Sequence, residues 1–269
     1  MYGLVQPVVG ARLLVRDREV LVAALVPALF LAAFCAAVAI LDGRGHALRT
    51  FYTTFAVLAP LPSVLFAHHY ARLAVLGRRK LGFGPAEPCL ESLRRMLGRA
   101  IKQSILIALA LAPVLGLVRI VPILGNPVAQ VASAAWALHW IVVDAFDSAR
   151  FLRPGQTLAE LDAHAEHLQS PWYVRGLRTA AEATPIGKGI LNRFARLCDR
   201  LSMPWREEIA LVEEHPSLML GFALSTAALL AIPVLNLLFR PIVLIGAAHV
   251  LGQLEATEPD SPVLPPPAS

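Results

Sequence analysis

Charge is nearly absent from four stretches of the chain, and those stretches set its architecture. The first, the 22 residues Val20 to Leu41, makes about 33 Å of helix, enough to cross a hydrocarbon core of about 30 Å. Arg12, Arg16 and Arg18 precede it and Ala37-Val38-Ala39 looks like a cleavage site, but a signal-peptide core runs only about 7–15 residues. The run predicts a spanning helix. Asp42-Gly43-Arg44-Gly45 breaks it. Phe51 to Tyr70 then predicts a return crossing, kinked or locally broken at Pro60 and Pro62.

The other two stretches are hairpin-like. Ser104 to Val143 holds 40 residues and one charge, Arg119, and is interrupted by Pro122-Ile123-Leu124-Gly125-Asn126-Pro127. Its two arms, about 24–27 Å each, either cross a thinned bilayer or dip part way, and both readings stay open. Pro216 to Leu254 holds 39 residues and one charge, Arg240, with an interruption at Ile232-Pro233-Val234-Leu235-Asn236 and Pro241 close behind. Only about 20 Å of apolar helix follows Pro241, which predicts a re-entrant hairpin. The two interruptions echo each other, and proline-interrupted apolar segments in matching positions point to a transport site.

Between these stretches lie basic segments. Arg72 to Lys102 carries eight Lys or Arg against two Glu, and with the three N-terminal arginines it places the N-terminus on the cytoplasmic side of the membrane. Leu90, Leu93 and Leu97 with Arg94, Arg95 and Arg99 between them predict a short basic amphipathic helix on the inner leaflet. Asp144 to His215 is polar. Thr157-Leu158-Ala159-Glu160 is a capping box opening one helix, and Ile190, Leu191, Phe194, Leu197 and Leu201 predict another over Lys188 to Ser202, ended by Pro204. The chain thus divides into a membrane part over 1–147, a helical cytoplasmic segment over 148–215, a second membrane hairpin over 216–254, and an acidic, proline-rich tail over 255–269 that predicts disorder.

Composition agrees. The chain is 57% hydrophobic and 16% charged, against about 45–50% and 25% in soluble domains. The net charge of +5 sits beside apolar runs without interleaved aromatics, which excludes a nucleic-acid groove. Cys35, Cys89 and Cys198 are too scattered for zinc, redox or disulfide chemistry. Gly82-Phe83-Gly84 lacks the Lys and Ser or Thr of a nucleotide loop, and no nucleophile elbow is present, so neither an enzyme nor a cofactor is predicted.

Several motifs resemble one family. Leu220-Gly221-Phe222, Ile232-Pro233-Val234-Leu235-Asn236, Pro241 and Gly246-Ala247-Ala248 look like the C-terminal signature of the CysZ sulfate permeases, whose relatives include the etoposide-induced membrane proteins. Gly10-Ala11-Arg12-Leu13 is similar to the family's glycine-leucine-arginine motif, with Ala11 in place of the leucine. Trp136 and Trp140 ahead of Asp144, and Trp205-Arg206-Glu207 leading to His215, extend the likeness, which is weakest over Ser148 to Ser202. The resemblance implies an all-α fold with two spanning helices and two half-penetrating hairpins, assembly into homo-oligomers in the inner membrane, and sulfate uptake.

The candidate residues follow from anion chemistry. A dianion needs a fixed cation and converging backbone donors, and Gly10, Ala11, Arg12 and Leu13 offer both, although Arg12 also reads as a topology anchor beside Arg16 and Arg18. Arg119 and Arg240 are lone charges in apolar stretches, costly there by at least about 2.5–3.5 kcal/mol unless they face water or reach headgroups. Asn126 and Asn236 serve either the opened backbone or simple turn geometry. Asp144 and Asp147 read as helix-end charges or proton-linked carboxylates, and His164 and His167 as a solvated pair lacking a third metal ligand. The alternative to an anion permease is a non-transporting scaffold or lipid-interacting protein of the same fold, with the basic helix on anionic lipid.

Overall fold

The computed structural model describes residues 2–42, 46–58, 65–119, 125–183, 187–231 and 233–257. These are mostly helical, and the fold is all-α. The helices are α1 (Tyr2–Arg16), α2 (Arg18–Leu41), α3 (Ala47–Leu58), α4 (Ala67–Lys80), α5 (Leu93–Arg119), α6 (Gly125–Ser148), α7 (Leu158–His167), α8 (Trp172–Ala183), α9 (Lys188–Ser202), α10 (Arg206–Glu214), α11 (Pro216–Leu230) and α12 (Pro233–Thr257). A two-residue strand pair, β1 (Glu87–Pro88) antiparallel to β2 (Phe151–Leu152), clips the loop before α5 to the segment after α6.

Among the described residues three helices are long and apolar enough to cross a membrane: α2, α5 over Leu93–Pro113, and α6. The α2 boundaries match the charge-free run, because Asp17 caps the helix by accepting from the amides of Glu19 at 2.9 Å and Val20 at 3.2 Å. Its outer face exposes Leu29, Phe30 and Phe34, while Val20, Ala24, Leu31 and Cys35 are buried. An exposed apolar face on a helix of spanning length is consistent with lipid as its solvent.

Phe51 to Tyr70 is divided between α3, up to Leu58, and α4, from Ala67, in line with the local break expected there, and the region of Pro60 and Pro62 lies outside the described residues. The later stretches differ from the sequence expectation. The basic helix predicted over Leu90 to Lys102 is not a separate element. It runs without a break into the apolar stretch as the 27-residue α5, because nothing between Lys102 and Ser104 interrupts the helical hydrogen bonds. With α6 at 24 residues, the arms of the first hairpin are therefore about 40 and 36 Å long, not 24–27 Å. In the second hairpin α11 is short, at 15 residues, but α12 continues through Pro241 for 25 residues. The predicted disordered tail begins inside α12, where Glu255 accepts a hydrogen bond from Arg78 and lies 3.6 Å from Arg153. Residues 258–269 lie outside the described set.

The main core joins α2, α4, α6, α11 and α12 through Val20, Leu73, Phe146, Phe222 and Ile245. Against it α1 is held by backbone proximity. Gly3 and Gly221 face each other, as do Gly10 and α12 near Ile242 and Gly246, and a Cβ at Gly246 would stand 3.0 Å from the Gln6 carbonyl oxygen. Small residues that let backbones approach are the usual device where burial against lipid gives helices no hydrophobic drive to associate. Buried Gln6 meets His249 Nδ1 at 2.6 Å across the same crossing. A second core packs the polar segment onto α5 and α6: Leu106, Trp136 and Trp140 with Tyr173, Ala195, Cys198, Trp205 and Ile209. The capping box of α7 is present as predicted, with Leu161 and Ala165 buried, and α9 spans the predicted residues.

Candidate functional site

The strand pair and the ends of α5, α6 and α10 bring charged side chains together at the boundary between polar and apolar sequence. Arg99 is the hub. Its Nη1 donates to Glu91 Oε1 at 2.6 Å, its Nη2 donates to Asp147 and, at 3.3 Å, to the Pro204 carbonyl, and its guanidinium lies 5.3 Å from the Trp205 ring centroid. Glu91 is held from behind, its backbone oxygen 2.5 Å from His68 Nε2. Arg150 Nη2 donates to Glu207 at 2.9 Å, and its Nε lies 3.4 Å from Glu208 Oε1.

These groups border a cavity of about 140 Å³ lined by Tyr70, Glu91, Arg99, Asp144, Asp147 and Arg150 among others. That is well above the about 10–15 Å³ that one water needs. A smaller cavity of about 40 Å³ shares Tyr70, Asp144 and Ser148 with it and extends between α6, α11 and α12 to Thr226, Leu230 and Arg240. Where the two meet, Arg240 Nη2 donates to Asp144 Oδ2 at 3.2 Å, with its guanidinium 5.6 Å from the Tyr70 ring centroid. The two cavities thus adjoin through shared lining residues, with the Asp144–Arg240 ion pair on their common side.

The predicted residues are distributed unevenly around these cavities. Asp144 and Asp147 line the larger one, and Asp144 and Arg240 the smaller. Gly10 is buried, and the close approach it permits is taken by the α12 backbone; Ala11 and Leu13 are half-buried on α1, and Arg12 is exposed. All four lie inside α1 rather than before a helix start, so their amides belong to the helix ladder and do not converge. Asn126 is exposed in the first turn of α6. The side chains of Arg119 and Asn236 lie outside the described residues. His164 and His167 are exposed on α7, and no group of three metal-ligating side chains occurs among the described residues. No protein-family model, no curated protein and no solved structure matches the chain. The likeness to the CysZ permeases therefore rests on the residues quoted for it.

Sequence reasoning missed Glu91, Arg99, Arg150, Glu207 and Glu208 as a cluster, because their ion-pair partners within it lie 8 to 58 positions away. The available signal was the Glu207-Glu208 pair directly after Trp205-Arg206, a double charge beside a large aromatic.

Burial sets the chemistry of the cluster. Desolvation raises the Glu208 carboxyl from its ordinary 4.5 to about 7, against the opposing pull of Arg150, and its Oε2 has no hydrogen-bond partner among the described residues. Burial likewise pushes the Cys89 thiol up to about 11, which makes it a poor nucleophile. Because the folded state holds the Glu208 proton more tightly than the unfolded chain, its contribution to stability is full below pH 4.5 and is lost as pH rises through about 7. Glu208→Gln should therefore flatten the fall in Tm between about pH 5 and about pH 7.5. An unchanged slope in thermal unfolding of the variant would refute the assignment.

Proposed function

We propose that the chain is a non-catalytic permease for a small inorganic anion, sulfate first, in the inner membrane with its N-terminus cytoplasmic, working as a homo-oligomer. The observation that carries this reading is the pair of adjoining cavities with Arg240 on the inner one, a cation whose one ion pair among the described residues is the 3.2 Å contact to Asp144. An arriving dianion can take the guanidinium from Asp144, since an Arg pairs with any planar or tetrahedral oxyanion through the same fork of donors. Asp144 then acts as the resting counter-ion that keeps Arg240 neutralised between passages. The resemblance to the CysZ permeases supplies sulfate as the expected cargo.

The test is labelled sulfate uptake into proteoliposomes. A charge-assisted hydrogen bond contributes about 1.5–3 kcal/mol, so Arg240→Gln should lower flux about 10- to 100-fold, whereas Asp144→Asn should not. Equal flux in wild type and a folded Arg240→Gln protein would remove Arg240 from the path.

The second reading is a non-transporting lipid-interacting protein. It is favoured by the pairing itself: Arg99, Arg150 and Arg240 face five carboxylates, Glu91, Asp144, Asp147, Glu207 and Glu208, and each is bound to at least one. Uptake no greater than in empty vesicles, from monodisperse protein, would decide for it.

A further inference from the structure

We infer that α9 is an interfacial helix whose outer face rests on the anionic headgroups of the bilayer. The inference needs the chain to sit in a membrane but does not depend on whether it transports anything.

Two faces of α9 have different partners. The inner face buries Ala195, Cys198 and Ser202, and the first two share a core with Leu106 and Ala110 of α5 and with Trp136 and Trp140 of α6. The outer face exposes Ile190 at 75% and Leu197 at 44%, flanked by exposed Arg193, Arg196 and Arg200. At 100° per residue these five positions fall within one third of the helix circumference. None of the three arginines forms an ion pair with a carboxylate among the described residues, whereas Arg175, Arg178 and Arg206 nearby all do.

The depth of α9 follows from what it packs on. Of the five cations of α5, Arg94, Arg95, Arg99 and Lys102 lie in its first ten residues, Arg119 is its last residue, and Gln103 to Val118 between them carry none. A charge within the hydrocarbon is costly, so the water boundary on α5 falls near Lys102. Leu106 is one turn beyond it. Trp140 is one turn before Asp144 on α6, at the level where indole rings favour the headgroups. Packed at that height, α9 lies along the surface of the bilayer, and half-exposed Trp172 of α8 stands beside the same core. Exposed aliphatic side chains bracketed by unpaired arginines match acyl chains bracketed by phosphates, and that complementarity selects anionic lipid rather than a protein partner.

The test places a fluorophore at Gly189→Cys, an exposed site with nothing within 4 Å of an added Cβ, in a Cys89→Ser background. The full chain is reconstituted in nanodiscs containing tail-brominated phosphatidylglycerol or tail-brominated phosphatidylcholine at equal fraction. The anionic lipid should quench about twofold more strongly or better, and Arg193→Gln, Arg196→Gln and Arg200→Gln combined should remove the preference. Arg175→Gln, which loses a partnered cation, should leave it intact. Equal quenching by both lipids in the wild type would overturn the proposal, as would quenching by neither. Cross-linking of Gly189→Cys between copies would assign the face to a second copy and overturn it too.

Discussion

Gly10→Val is expected to abolish the folded protein, although the substitution touches no charge and adds apolar surface to a membrane chain. A Cβ at position 10 overlaps the Ile242 carbonyl oxygen and comes within 3.2 Å of the Gly246 amide nitrogen. Those atoms belong to the α12 backbone, so no side-chain rotation relieves the overlap. The whole of α1 must move away, which also opens the Gly3–Gly221 contact and separates Gln6 from His249. Overpacking a well-filled core costs about 1–3 kcal/mol when side chains can yield, and here they cannot. A loss above that range consumes much of the about 5–15 kcal/mol that holds a typical domain. Gly10→Ala should be destabilised in the same direction, with a Tm several degrees lower. The control is Gly176→Ala in α8, where nothing lies within 4 Å; removing a helical glycine there should raise stability by about 1 kcal/mol. Detergent size-exclusion and thermal unfolding read both. A monodisperse Gly10→Val protein with wild-type Tm would show that α1 does not pack as described.

That prediction marks how far the sequence could be read. Gly10 stood out in the sequence, but as part of an anion motif, since its neighbour Ile242 is more than 200 positions away and no local pattern links them. The elements with local causes were legible. The charge-free run predicted α2, the capping box the start of α7, and apolar spacing α9. The α5 helix was not, because a dense run of arginines reads as a surface segment until the carboxylates that neutralise it are known. Those carboxylates come from α6, α7 and the loop before α5: Arg95 is bound by Asp162 at 2.6 and 2.7 Å, and Arg99 by Glu91 and Asp147. Asp144 and Arg240 were each singled out, yet their pairing could be seen only once α6 and α12 were packed.

Arg99→Ala carries the other large effect, and it separates bracing from passage. Arg99 side-chain exposure is 11% and that of Glu91 is 8%, so removing the guanidinium leaves buried Glu91 with only the longer 3.4 Å contact to Arg95 and a second carboxylate, Asp147, without its closest partner. Breaking a buried pair by deleting one member costs about 3–5 kcal/mol, chiefly from the charge left behind. In a chain of this size a loss of 1 kcal/mol lowers Tm by about 2–4 °C, so Arg99→Ala should unfold about 10 °C below wild type. The triple variant Arg99→Met, Glu91→Gln, Asp147→Leu should recover part of the loss, because replacing a whole buried ionic group by neutral and apolar side chains is often close to neutral. Arg240, held by one 3.2 Å contact, should lose far less stability when replaced by Gln. The two arginines line adjoining cavities, Arg99 the larger and Arg240 the smaller, but differ in how firmly they are held. A firmly neutralised cation braces the cluster, and a loosely held one is free to exchange partners. If Arg99→Ala melts within about 2 °C of wild type, the network does not brace the fold, and Arg99 joins Arg240 as a candidate on the path.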